Sequence, residues 1–91
     1  MEKRTMRIDL LLNKLCLTKT RSIAKNACDK GLVFINDKRA KASDTIRIND
    51  IVELKLYGYL HRIRVTNVPE GNVAKKDAGN FYEMLAREPL E

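Results

Sequence analysis

The apolar pattern of this chain changes period at Gly31, and that switch limits it to helices followed by a sheet. Before Gly31, Ile8, Leu11, Leu12 and Leu15 fall at i, i+3, i+4 and i+7, which predicts an amphipathic helix over 6–17. Asp9 in its first turn suits the helix dipole. A second helix is predicted over 21–30, with Thr20 as N-cap and Gly31 as a left-handed C-terminal residue. Its inner stripe, Ile23, Ala24, Ala27 and Cys28, is small enough for close packing on the first helix. After Gly31 the pattern is that of strands. Leu32 to Ile35 runs into the turn signal Asn36-Asp37, and Asn49-Asp50 marks another turn. Ile51 to Leu56 then alternates Val52, Leu54 and Leu56 against Glu53 and Lys55. Tyr57-Gly58 permits a reversal into Tyr59 to Val68, with Ile63 and Val65 inward and Arg62 and Arg64 outward, until Pro69 and Gly71 break the strand. Ala78, Phe81, Tyr82 and Leu85 return to helical spacing and predict a last helix over 77–87. The order α-α-β-β-β-α is an α+β layout: two N-terminal helices packed on a small antiparallel sheet, with a C-terminal helix docked on that sheet.

Ninety-one residues suffice for one modest core. No apolar run approaches the roughly 18 residues that span a bilayer. MEKRTMRIDLLL is too short in apolar residues for a secretion signal, so a cytoplasmic protein with no membrane partner is expected. Cys16 and Cys28 then read as reduced thiols, and with His61 they fall short of a zinc ligand set.

Charge is segregated. Residues 1–41 carry 11 Lys and Arg against 4 Asp and Glu, whereas residues 42–91 carry 7 against 8. A net charge of +6 confined to the first half builds a one-sided potential that attracts a polyanion. Catalytic patterns do not accompany it. His61 stands in a predicted strand without an acid or nucleophile partner, there is no phosphate-binding Gly-rich loop, and neither Cys sits in an activating motif. A non-enzymatic protein without metal or cofactor is expected.

Arg7 and Lys14 on the first helix, Lys19 and Thr20 at the corner, and Arg21 and Lys25 on the second can reach one side of a helix pair. Thr20 also sets the helix N-terminus there, where backbone N–H groups favour phosphate, and Arg21 adds a planar fork. Lys38, just past the strand turn, extends the patch. Only five aromatic residues exist, none before Phe34, so base stacking is expected to matter less than backbone and shape. Folded RNA suits that description. DNA binding by a helix-turn-helix remains the alternative of a different class, although CLTKT lacks the Gly common in that turn and base-reading residues are few.

The stretch from Met6 to Leu56 resembles the RNA-binding domain first recognised in small-subunit ribosomal protein S-four, the αL motif. The residues that carry the likeness are RIDLLLNKL, TRSIAKNACDKGLVFIN and the INDIVEL strand. VPEGNVAKKDAGNFYEMLARE is similar to the tail of the short bacterial relatives of the fifteen-kilodalton ribosome-associated heat-shock protein, which include a ribosome quality control factor. The resemblance implies binding to large-subunit ribosomal RNA and tRNA on subunits carrying a stalled nascent chain, with Arg7 and Arg21 as RNA contacts. A ribosome-assembly or regulatory RNA-binding role is the alternative within the same class. Two departures stand out: Asn36-Asp37 replaces the usual Asn-Gly turn, and the long basic extension of the larger heat-shock relatives is lacking. The expected organisation is an RNA-binding domain over 1–68, with its core at 6–56, and a tail over 69–91. The expected state is a monomer.

Overall fold

Strand β1 (Met6–Arg7) leads directly into α1 (Ile8–Lys14), because Arg7 is extended at φ −59° and ψ 141°. The computed structural model describes residues 5–69, 71 and 73–90; the ends of both expected domains, residues 1–4 and 91, lie outside them, as do 70 and 72. β1 pairs antiparallel with β4 (Thr45–Ile46), and Ile8 N–H donates to the Asp44 carbonyl at 2.7 Å. The helix is therefore shorter than its apolar period: its first turn is replaced by a ladder, and Cys16, at φ 60°, turns the chain out of it. Ile8, Leu11, Leu12 and Leu15 are all buried.

α2 (Arg21–Asp29) has the predicted ends. Thr20 Oγ1 accepts the Ile23 N–H at 3.1 Å, satisfying one of the helix's free donors. At the other end Leu32 N–H donates to the Ala27 carbonyl and Gly31 N–H to that of Cys28, the paired bonds of a Schellman motif. Gly31 stands at φ 75°, and a Cβ there would meet the Arg39 guanidinium at 3.1 Å. Ala24, Ala27 and Cys28 are buried against α1 and the sheet. Burial pushes the Cys28 thiol up to about 11, with Asp9, Asp29 and Asp44 adding to the shift, so it is a packed, unreactive group; Cys16 is free and exposed.

The sheet has five strands in the order β3-β2-β5-β6-β7. These are β2 (Val33–Ile35), β3 (Lys38–Arg39), β5 (Ile51–Leu56), β6 (Tyr59–Val65) and β7 (Tyr82–Pro89), all antiparallel. Asn36 and Asp37 both stand at positive φ, 50° and 70°, which is the two-residue hairpin turn that Asn-Gly would make. The Asp substitution thus leaves the turn type intact. The Asn36 side chain also accepts the Ile51 N–H at 2.9 Å, tying the turn to the start of β5. One face of the sheet carries Val33, Val52, Leu54, Ile63 and Val65 into the core beneath the helices.

The last element differs from the expected helix over 77–87. A 3-10 helix covers Lys75–Asn80, and β7 then pairs with β6 from Val65↔Tyr82 to Tyr59↔Pro89. Without β7, β6 would leave a row of unpaired backbone donors and acceptors, and filling that edge outweighs a local helical spacing already weakened by Gly79. Phe81 and Tyr82 do pack against the core, as their apolar character required. Leu85 does not: it is the extra residue at the bulge opposite Arg62 and Ile63, and it is exposed. The tail is therefore part of the sheet. Three further short strands, β1, β3 and β4, were not apparent in the sequence, and the expected strand to Val68 ends at Val65.

Two stability tests follow from this packing. Thr20→Ala should lower unfolding free energy by about 1 kcal/mol in urea titration, while Thr20→Asp, which restores a capping oxygen, should recover most of it. An unchanged midpoint in Thr20→Ala would contradict the capping role. His61, the chain's one histidine, lies on the core-facing row of β6 with its buried Nδ1 lacking a hydrogen-bond partner among the described residues. Burial, with help from Arg87 beside it, holds its pKa below the ordinary 6.5. The unfolded chain then binds a proton near pH 6.5 that the folded chain takes up only at lower pH, so stability falls as pH drops through 6.5. His61→Leu should flatten that part of the profile; an identical slope in both proteins would contradict the assignment.

Candidate nucleic-acid interface

Asp9 is buried at the first turn of α1, with only 3% of its side chain exposed. A carboxylate so placed needs compensating partners, because its desolvation is expensive. Arg7 supplies two: Nε donates to Oδ1 at 3.2 Å and Nη2 to Oδ2 at 3.1 Å. Leu10 N–H donates to Oδ1 at 2.7 Å. Arg21, at the start of α2, brings its Nε to 3.4 Å from Oδ2.

That last contact depends on the path of residues 15–20. Leu17 and Thr18 N–H both donate to the Leu12 carbonyl, and Asn13 Nδ2 donates to the Lys19 carbonyl at 3.5 Å. The connection thus folds back along α1 and delivers the first turn of α2 to the first turn of α1. A helix-turn-helix joins its helices by a tight turn of three or four residues; this six-residue return is a different construction.

The result is a pair of guanidiniums fixed over one carboxylate, with 46% of the Arg7 and 48% of the Arg21 side chain still exposed. Each guanidinium carries five N–H donors, more than Asp9 accepts, and two cations against one anion leave a positive charge facing outward. Planar donors held in place beside a helix N-terminus are suited to phosphate oxygens.

The other predicted residues divide around this pair. Thr20 caps the helix under Arg21, and Lys25 is exposed on the next turn of α2. Lys38 is exposed on β3 and lines an open cavity of about 540 Å³ with Arg39 and Arg47, a lining that also includes Asp44 and Asp50. That cavity reaches the Arg7 side of the molecule through the β1–β4 ladder, where Arg7 pairs with Thr45. Lys14 and Lys19 are engaged elsewhere. Lys14 Nζ donates to the Gly71 carbonyl at 3.0 Å, and the Lys19 ammonium lies 5.9 Å from the centroid of the Tyr57 ring. Of the face expected from the helix pair, the structure brings Arg7 and Arg21 together over Asp9 and sets Lys25 one turn along α2, while Lys38 lies on β3 and Lys14 and Lys19 also contact other segments.

The anchoring part of Asp9 and the placement of Arg39 and Arg47 beside Lys38 could not be read from the sequence. Arg39 was visible as one of a basic group after the hairpin; Arg47 lay in the near-neutral half, and only the β1–β4 pairing brings it forward. Among the described residues, no helix is long and apolar enough to cross a membrane, and no group of three His, Cys, Asp or Glu side chains could hold a metal ion.

Known proteins share both the sequence and the shape. Residues 6–52 match the S4 domain. The RQC P-site tRNA stabilizing factor of Halalkalibacterium halodurans is 33% identical over 85 residues, covering 93% of this chain and 96% of that protein. The protein of the same name from Streptococcus pneumoniae is 31% identical over 86 residues, covering 94% and 97%. Among solved structures, heat shock protein 15 of Vibrio cholerae, described as trimeric, superposes with a TM-score of 0.84 at 26% identity, covering 91% of this chain and 84% of that one. With the domain match across more than half its length and relatives aligned nearly end to end, this chain belongs to the S4 domain family, in the group of the RQC P-site tRNA stabilizing factors.

Proposed function

We propose that this chain is an RNA-binding accessory factor of the ribosome, acting in the cytoplasm in the rescue or quality control of stalled nascent chains. It binds ribosomal RNA and tRNA on the large subunit and works by binding, without catalysing a reaction. The observation that carries this reading is the guanidinium pair over Asp9, which lies within the segment matching the S4 domain. The relatives' name supplies the rest: those proteins stabilise a P-site tRNA. A factor of that kind has to hold RNA in position, and pre-set cationic forks do so at small ordering cost.

Arg7 and Arg21 grip the phosphate backbone, Lys25 and Lys38 extend the contact, and the cap at Thr20 aims the N–H groups of α2 at it. Lys14 and Lys19 add positive charge at its margin. The acting form in this reading is a monomer. Folded RNA is preferred over duplex DNA, because the face offers backbone contacts and few side chains that read a major groove.

Sedimentation through a sucrose gradient, with binding to purified large subunits measured alongside, tests the reading. Arg21→Ala should remain folded yet leave the large-subunit fractions, with a loss on the order of 1.5–3 kcal/mol for a charge-assisted contact. The slope of log affinity against log salt should fall by about one counterion. Arg62, on β6, pairs at 3.7 Å with Glu53 on the sheet face away from the helices, and Arg62→Ala should migrate as wild type. Unchanged binding by Arg21→Ala together with loss in Arg62→Ala would place the RNA on the other side of the domain.

A further inference from the structure

The hairpin joining β5 and β6 turns at Tyr57-Gly58, with φ of 54° and 79°. A two-residue turn with both residues left-handed favours Asn, Asp or Gly at its first position. A bulky aromatic residue there carries a backbone penalty that forming the hairpin does not require. Tyr57 nevertheless occupies it, 50% exposed.

Its ring is held in place. The Tyr57 hydroxyl accepts the Lys19 backbone N–H at 3.1 Å, while the Lys19 ammonium sits near the ring. Tyr59, on the same row of β6 as His61 and Ile63, continues the core face past the end of the core and is 37% exposed. The Arg87 guanidinium of β7 lies 4.4 Å from the Tyr59 ring centroid, and the His61 ring lies 6.1 Å away at a 46° tilt. Rings and cations thus alternate around one hairpin, and Lys19 stands two residues from Arg21 in the chain.

Aromatic faces bind bases by stacking, an Arg guanidinium plane does the same, and the neighbouring ammonium suits a phosphate. Paired bases within a duplex present no free face. We propose that the β5–β6 hairpin is a stacking site for unpaired RNA nucleotides, with Tyr57 and the Tyr59–Arg87 pair as platforms and Lys19 as the phosphate partner. This rests on the RNA-binding reading above and narrows it: the Arg7–Arg21 centre takes the backbone of folded RNA, and the hairpin takes bases of an adjoining loop or bulge.

Fluorescence anisotropy with the full chain and two labelled RNAs tests it: a stem closed by a long purine loop, and the same stem as a blunt duplex. Wild type should bind the looped RNA about tenfold more tightly, within the usual range for one base stacked on an aromatic ring. Tyr57→Asn creates the Asn-Gly pair that this turn prefers, so its melting temperature should hold or rise. It should nonetheless lose about tenfold on the looped RNA alone, and Tyr59→Leu, which keeps an apolar cover, should lose a similar factor. If both variants bind the looped RNA as wild type does, the hairpin serves another partner and the proposal is overturned. Equal loss on both RNAs overturns it too, since the effect is then not one of stacking. A wild-type chain that binds neither RNA defeats the RNA-binding reading as a whole. Loss of both RNAs in Arg21→Ala, with only the looped RNA lost in Tyr57→Asn, supports the two sites separately.

Discussion

The carboxylate of Asp9 is the point on which this structure turns. It sits among Ile8, Leu11 and Leu12, where an unpaired charge would be costly, and among the described residues it is stabilised by groups converging from three places. Arg7 comes from the extended residue before α1, the Leu10 N–H from the helix itself, and Arg21 from the start of α2. For these to meet, β1 must stay extended, and residues 15–20 must retrace α1. The short β1–β4 ladder and the bonds to the Leu12 carbonyl are the backbone's part in that arrangement.

The same geometry explains how a small domain presents ordered cations. Long Arg side chains on a surface ordinarily lose considerable rotamer freedom when they bind. Here the freedom of two of them is already reduced by an anion beneath them, and their exposed edges remain available. In the proposed function, the segregation of charge toward residues 1–41 supplies the long-range attraction, and the Asp9 anchor supplies the local fit. Screening by salt weakens the first far more than the second.

What could be read in the sequence was what short-range chemistry determines. Thr20 as cap, Gly31 as the left-handed end of α2, and the Asn36-Asp37 and Tyr57-Gly58 turns are each set by a few neighbouring atoms, and all stand as expected. The inward rows of β5 and β6 followed from alternation. β7 was illegible because its strand state depends on the free edge of β6, some twenty residues earlier, while its own spacing looked helical. Asp9 could be seen only as a dipole partner, since its burial under two guanidiniums depends on the return path of residues 15–20. The linear order also hid that folding gathers Tyr57, Tyr59 and His61 at one end of the sheet.

If Asp9 acts by positioning Arg7 and Arg21, one substitution separates this from simple charge attraction. Asp9→Asn keeps the size of the side chain and an oxygen for the Leu10 N–H, while the net charge rises from +6 to +7. If overall charge governs RNA binding, the variant should bind large subunits more tightly. If positioning governs it, two freed guanidiniums must be ordered on binding, and affinity should fall roughly tenfold despite the added positive charge. The direct measurement is the affinity of folded Asp9→Asn for purified large subunits at physiological salt. Weaker binding than wild type is expected; equal or tighter binding would contradict a positioning role for Asp9.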